Sequence, residues 1–164
     1  MQDTKILEQV GRFLTGRHET IAVAESVTSG QLQAVFSLAP NSSLFFQGGI
    51  TAYNIQQKYK HLHIDPSEAL KCNCVSGEIA REMAINVGKL FVSDWSIGVT
   101  GYAAPMPEVG LTDLFAFYAI AHKNVIAKSG IIQADKPGIA EVQQFYVEQI
   151  LKELYQLSKT VEYV

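Results

Sequence analysis

A mixed-sheet α/β domain with helices packed on both sheet faces is the fold class that two features of this sequence predict. Through the first hundred residues, short apolar runs alternate with segments of helical period, the pattern of parallel strands joined by helices. Past residue 110, two apolar runs follow one another with only HKN between them, the pattern of a hairpin. The chain has 164 residues, 48% of them hydrophobic and 18% charged. That length and composition predict one domain, 1–164, with a core of its own.

Ile6, Val10, Phe13 and Leu14 recur at helical spacing, so MQDTKILEQV reads as the start of a helix rather than a signal peptide. TIAVA, residues 20–24, supplies a strand. Leu32, Val35, Phe36 and Ala39 mark a second helix, ended by Pro40 and Asn41. FFQGGITAY, residues 45–53, is strand-like, and its paired glycines predict a tight bend or a close backbone approach. NIQQKYKHLH predicts a short helix, and DPSE at 65–68 starts another, with Asp65 as cap, Pro66 in the first turn and Glu68 placed to close a capping box. Ser76 opens a longer helix whose packing face is Ile79, Ala80, Met83, Ala84, Val87 and Leu90. WSIGVTG returns to strand character before the proline-rich loop YAAPMPEVG. The hairpin LTDLFAFYAIA/NVIAKSGII follows, and a last helix from near Gly138 presents Val142, Tyr146, Ile150 and Leu154. Trp95, Phe115, Phe117 and Tyr118 read as packing residues.

A formal net charge of −3 and a pI of about 5.8 point away from nucleic acid and from anionic membrane as partners. No apolar segment is long enough to span a bilayer. The two cysteines, Cys72 and Cys74, stand one residue apart, which fits a reducing compartment, with the cytoplasm as default. Low charge leaves room for an apolar surface that another subunit can cover.

AESVTSG, residues 24–30, places Glu25, Ser26, Thr28 and Ser29 directly after an apolar strand. One reading is structural: Ser26 or Thr28 caps the following helix while Glu25 meets its positive end. The other is chemical, with Ser26 as a nucleophile that needs a neighbouring proton acceptor. Lys58 in TAYNIQQK fills that need only where burial or nearby positive charge favours its neutral form, and Tyr53 can share its cleft. Both readings stay open on the residues alone. Glu25 can orient Lys58 or a substrate, or serve the helix dipole. Thr100 and Gly101 read equally as ligand contacts or as a strand end and turn. His61, His63, Cys72 and Cys74 have zinc-ligand chemistry without zinc-finger spacing, so surface and packing roles stand beside a metal.

Taken together, AESVTSG, FFQGGITAYNIQQK, VSGEIAREMA and SIGVTGYAAP resemble, in order and across nearly the whole chain, the CinA carboxy-terminal domain family. That family includes bacterial nicotinamide-nucleotide amidohydrolases. The resemblance implies a three-layer α/β/α domain with a mixed central sheet, and it implies hydrolysis of the nicotinamide amide of nicotinamide mononucleotide to nicotinic acid mononucleotide and ammonia. It assigns Ser26 as nucleophile, Lys58 as proton acceptor and donor, and Tyr53 as the residue that orients or polarises the pair. Glu25, Thr28, Ser29, Gly30, Thr100, Gly101 and Ala104 fall on the substrate side. Neither metal nor cofactor is required, and a homo-oligomer such as a dimer is expected. The chain departs from the family pattern at Val27, at Ser29, where a glycine is usual, and in TGYAAPMPEVG. There Ala104 takes a glycine position and Met106 and Pro107 interrupt a glycine-rich run, in a shorter connection. Proline has no amide to give a phosphate, so the alternative expectation is a catalytically impaired relative that binds a nucleotide or serves in assembly.

Overall fold

In the computed structural model, residues 4–161 are described. Five strands form one sheet in the order β2-β1-β3-β4-β5, where β1 is Ile21–Glu25, β2 Phe46–Thr51, β3 Trp95–Gly101, β4 Leu114–His122 and β5 Val125–Ala134. β1 pairs in parallel with both β2 and β3, whereas β3–β4 and β4–β5 are antiparallel. The sheet is therefore mixed. Six α-helices flank it: α1 Thr4–Gly16, α2 Gln31–Ser37, α3 Ile55–Leu62, α4 Pro66–Lys71, α5 Gly77–Phe91 and α6 Ile139–Thr160. The expected start of α1 within residues 1–3 lies outside the described residues.

Strand alternation divides the core into two layers. In β1, Ile21 and Val23 join a cluster with α1, α2 and α6, while Ala22 and Ala24 join one with α3, α4 and α5. The same period gives Trp95, Ile97 and Val99 of β3 and Tyr118 and Ile120 of β4 to the first cluster. The opposite face is lined by small residues. Ala119 and Ala121 of β4 pack against Ala80 and Ala84 of α5, and a methyl group added at Gly98 would fall inside van der Waals contact of the Ala80 carbonyl and the Ala84 amide. Large residues on one face and small ones on the other thus let α5 lie close to the strands. The arrangement is a three-layer α/β/α sandwich.

Several local expectations hold for the reasons that predicted them. Asp65 accepts from the Ser67 amide (2.8 Å) with Pro66 in the first turn of α4, and Ser76 accepts from the Ile79 amide (3.1 Å) at the start of α5. Glu68 pairs with Lys71 at 2.7 Å instead of closing a capping box. Gly48 takes φ 123°, and a side chain at Gly49 would strike Val23, which is the close approach that the glycine pair predicted. The β4–β5 turn is Lys123–Asn124, both at positive φ, as a tight mirror-image hairpin turn requires. Trp95 is buried against Phe13 and His122, and its indole donates to Glu19 at 2.6 Å. Burial alone would raise the Glu19 carboxyl, but hydrogen bonds from Arg17, Trp95 and His122 outweigh it and bring it down from 4.5 to about 2.

One packing assignment is corrected. Leu90 is 52% exposed, because in the last turn of α5 Gly88 and Phe91 take the side that faces the sheet, against Ser96 and Gly48. That helix closes on Val92 in the left-handed region (φ 51°), a conformation that its branched Cβ disfavours.

Gly98→Ala is expected to wedge α5 from β3 and cost on the order of 1–3 kcal/mol, seen as a lower midpoint in thermal or urea unfolding. Val92→Gly is expected to act in the opposite direction by about 1 kcal/mol in the same assay, since it relieves the left-handed strain at an exposed site.

Candidate active site

The C-terminal ends of the three parallel strands meet at one edge of the sheet, the usual position of ligand sites in open α/β sheets. β1 delivers Ser26, β2 runs out through Ala52 to Tyr53, and β3 ends on Thr100 and Gly101. These chain segments open into a cavity of about 480 Å³, with Ser26, Lys58 and Thr100 in its wall and Tyr53, Leu70 and Ile139 at its rim.

Lys58 sits on the first turn of α3, whose Asn54 cap accepts from the Gln57 amide (3.0 Å). That placement sends the lysine inward, where it is only 1% exposed. Its Nζ donates to Ser26 Oγ at 2.8 Å and to the Ala52 carbonyl at 2.9 Å. Both partners are neutral oxygens. Burial therefore pushes the Lys58 ammonium below its ordinary value, opposed only in part by the negative charge that the Cys74 sulfur in the same cavity carries when ionised. Burial also pushes the Cys74 thiol up.

The serine is held from three sides. Its own amide donates to the Val99 carbonyl (3.1 Å), and the Ser29 amide returns to the Ser26 carbonyl (3.1 Å). Gln143 of α6 donates to the Val27 carbonyl (2.9 Å) while accepting from Gln31 (2.8 Å), which ties the loop to the last helix. Val27 itself is buried in the core.

Neither Ser26 nor Thr28 caps α2. The Glu25 carboxylate takes that part across the loop, accepting from the Leu32 amide (2.8 Å), the Gln33 amide (3.0 Å), Gln33 Nε2 (3.0 Å) and Thr28 Oγ1 (2.6 Å). With its oxygens committed to α2, Glu25 is directed away from the cavity, and Thr28 is fully buried beside it. Ser29 and Gly30 have φ 50° and 92° and lie outside the cavity wall. Ser29 therefore holds the left-handed conformation for which a glycine is better suited.

Tyr53, Thr100, Gly101 and Ala104 do line the cavity. Tyr53 is 67% exposed at the mouth, while Thr100 is buried and donates from Oγ1 to the Cys74 carbonyl at 2.7 Å. Gly101 has Phe115 and Ala116 against its α-carbon, so no side chain fits there. Asn73, Tyr102 and Gln143 carry no signal in the sequence, and Cys74 stands out there only as a metal ligand or packing residue, not as part of this cavity. Asn73 and Cys74 sit at φ 51° and 61° between α4 and α5, and Asn73 donates to the Tyr102 hydroxyl (3.3 Å). Two consecutive left-handed residues leave no periodic signal in a sequence. The zinc alternative has no support in the geometry: among the described residues no three His, Cys, Asp or Glu side chains converge, and His61 Nε2 is 3.0 Å from Gln57 Oε1. No helix among them is long and apolar enough to cross a membrane.

Comparison with known proteins agrees with this architecture. A CinA superfamily protein of Klebsiella pneumoniae superimposes with a TM-score of 0.90 at 20% identity, covering 98% of this chain and 100% of that one. One from Escherichia coli gives 0.86 at 24% identity, covering 96% and 93%. At such identities the likeness is one of fold. A CinA-like protein of Synechocystis is 44% identical over 104 residues, 63% of this chain and 25% of that protein. Another, from Prochlorococcus marinus, is 33% identical over 157 residues, 93% and 36%. The chain thus spans about a quarter to a third of the length of these relatives. The sequence profile of the CinA C-terminal domain matches residues 3–157, and the chain belongs to that family.

Proposed function

We propose that this chain hydrolyses a carboxamide through an acyl-enzyme on Ser26, with Lys58 as the group that takes and returns protons. The nicotinamide amide of nicotinamide mononucleotide is the substrate that the family resemblance favours. The observation that carries this reading is the buried Lys58 amine 2.8 Å from Ser26 Oγ, with a backbone carbonyl as its other partner. A lysine with no structural ion pair to serve and a lowered proton affinity is what a serine nucleophile needs.

In the neutral amine form, Lys58 donates to the Ala52 carbonyl and turns its lone pair to Ser26. As Oγ attacks the amide carbon, the Ser26 proton passes to Lys58. The negative charge that develops on the carbonyl oxygen falls to the Val27 amide, next in the chain, because the Ser26 amide is committed to Val99. The C–N bond then breaks, and Lys58 hands its proton to the leaving nitrogen, which departs as ammonia. Water attacks the ester carbon and gives a proton to Lys58. The bond to Oγ breaks, Ser26 recovers that proton and the carboxylic acid leaves. Amide and water have become acid and ammonia. Tyr53, exposed at the mouth, is the residue we assign to orient the pair or to cover a bound substrate.

A second reading draws on the 100–110 loop, in which Ala104 takes a glycine position and Met106 and Pro107 interrupt a glycine-rich run. It makes the chain a binding or assembly protein without turnover.

The test is ammonia release from nicotinamide mononucleotide, with the acid product identified. Ser26→Ala and Lys58→Met are each expected to lower kcat at least about 100-fold. Lys58→Met removes a buried amine for a side chain of similar length and is expected to keep Tm within about 4 °C. Because the working form of Lys58 is neutral, activity should rise with pH through its pKa. That inflection should lie below the ordinary 10.5 of a lysine and vanish in Lys58→Met. Binding of the nucleotide by a folded protein that releases no ammonia would favour the second reading.

A further inference from the structure

We infer that Gln143 of α6 is a positioning residue for the reaction at Ser26: its side-chain amide holds the peptide that follows Val27 and so aims the Val27 amide at the charge that develops on the substrate. This role rests on the serine–lysine reading above and adds what keeps the nucleophile turn in its working shape.

Ser26 opens a β-turn. The Ser29 amide donates to the Ser26 carbonyl at 3.1 Å, which makes Val27 and Thr28 the two central residues. A second turn overlaps the first, since the Gln31 amide donates to the Thr28 carbonyl at 3.0 Å across Ser29 and Gly30, both at positive φ. The central peptide of a β-turn is its loose part: rotating it exchanges type I for type II and leaves both ends in place. Here that peptide is the Val27–Thr28 link, and its carbonyl accepts from Gln143 Nε2 at 2.9 Å. Among the described residues it has no other donor.

The direction of the Gln143 amide is fixed. A carbonyl can only accept, so Nε2 faces Val27 and Oε1 faces Gln31, whose Nε2 donates to it at 2.8 Å. The relay joins α2, α6 and the nucleophile turn. Gln143 is not in the cavity wall, whereas Ser26 and Val27 are, so it acts on a substrate through Val27. One turn further along α6, the Tyr146 hydroxyl donates to the Tyr102 carbonyl at 2.7 Å, in the segment that follows β3. Ile139, Gln143 and Tyr146 recur at i, i+4 and i+7, so one face of α6 runs along the site from its rim inward.

Among the described residues the Val27 amide has no partner of its own. The carbonyls on either side of it are both held, Ser26 by Ser29 and Val27 by Gln143, and that fixes the direction of its N–H. A donor aimed before the charge develops needs no rearrangement at the moment of reaction. Without Gln143 the Val27 carbonyl is an unpaired acceptor in a buried residue, and the turn shifts to satisfy it. Full rotation to type II demands positive φ at Thr28, which a β-branched side chain resists. The expected result is thus a misaimed amide rather than an inverted one. Ser29, at φ 50°, already strains this loop, which makes it depend on its surroundings for its shape.

The experiment measures the rate of Ser26 labelling by a neutral alkyl fluorophosphonate, and turnover of nicotinamide mononucleotide, in Gln143→Met and Gln143→Glu. Lys58→Met serves as the unreactive reference. Gln143→Glu keeps the length of the side chain and its acceptor for Gln31, and once ionised lacks only the donor to Val27. Both variants are expected to label and turn over about tenfold more slowly. KM should stay within about twofold and Tm within about 4 °C, and the pH inflection assigned to Lys58 should not move. A residue that only holds the fold would lower Tm and leave kcat of the folded protein unchanged. Labelling alone decides where the parent does not turn over this substrate. A fall of less than about threefold in either folded variant overturns the inference and leaves the serine–lysine reading intact, because the parent still labels in a Lys58-dependent way. Failure of both variants to fold also overturns it. Absence of both labelling and turnover in the folded parent removes the serine–lysine reading and the role of Gln143 together.

Discussion

The chemistry proposed for this domain depends on the burial of one amine. Water normally holds a lysine ammonium charged, and an ion pair would hold it more firmly still. Here Lys58 has lost the water without gaining a carboxylate, and its two polar partners are a hydroxyl and a backbone carbonyl. The nearest acidic residue to Ser26 in the chain, Glu25, is kept out of the pair because α2 consumes its oxygens. Had Glu25 turned toward Lys58, the amine would be a charged structural partner and a poor base.

The fold supplies this separation through strand ends. Because β1 lies between β2 and β3 and is parallel to both, three chain segments leave the sheet at the same edge. The Ala52 amide donates to the Glu25 carbonyl (2.9 Å), which continues the β1–β2 pairing one step beyond the strands and sets the Ala52 carbonyl over Lys58. α5 holds the opposite side of this edge against the small-residue face of β3, where Gly98 admits its backbone. Close helix–sheet packing and the placement of the site are therefore one feature of the sequence, the alternation of large and small residues in IAVA and WSIGVTG.

A consequence for ligands follows from the same economy of polar groups. The Ser26 amide is spent on β3, the Glu25 oxygens on α2, and the Met106, Val109, Gly110 and Leu111 amides on their own loop. Apolar rim residues from three separate segments, Tyr53, Leu70 and Ile139, then form the surface that a substrate first meets.

Periodicity alone determined the elements. The two-residue alternation of β1 and β3, the helical spacing of Ile79, Ala80, Met83, Ala84 and Val87, and the short HKN connection each encode a local geometry, and local geometry is what a sequence pattern can carry. It also brought Ser26, Tyr53 and Lys58 to attention, through residue types and through the order of their motifs. Tertiary structure decided what those residues face. Whether Glu25 meets Lys58 or α2, whether Ser26 caps a helix or meets an amine, and whether Leu90 packs or protrudes depend on segments far apart in the chain. So does the approach of Cys74 and Gln143, which come from the turn before α5 and from the last helix. Such contacts arise from the docking of elements, and burial, which lowers the proton affinity of Lys58, exists only once they are docked.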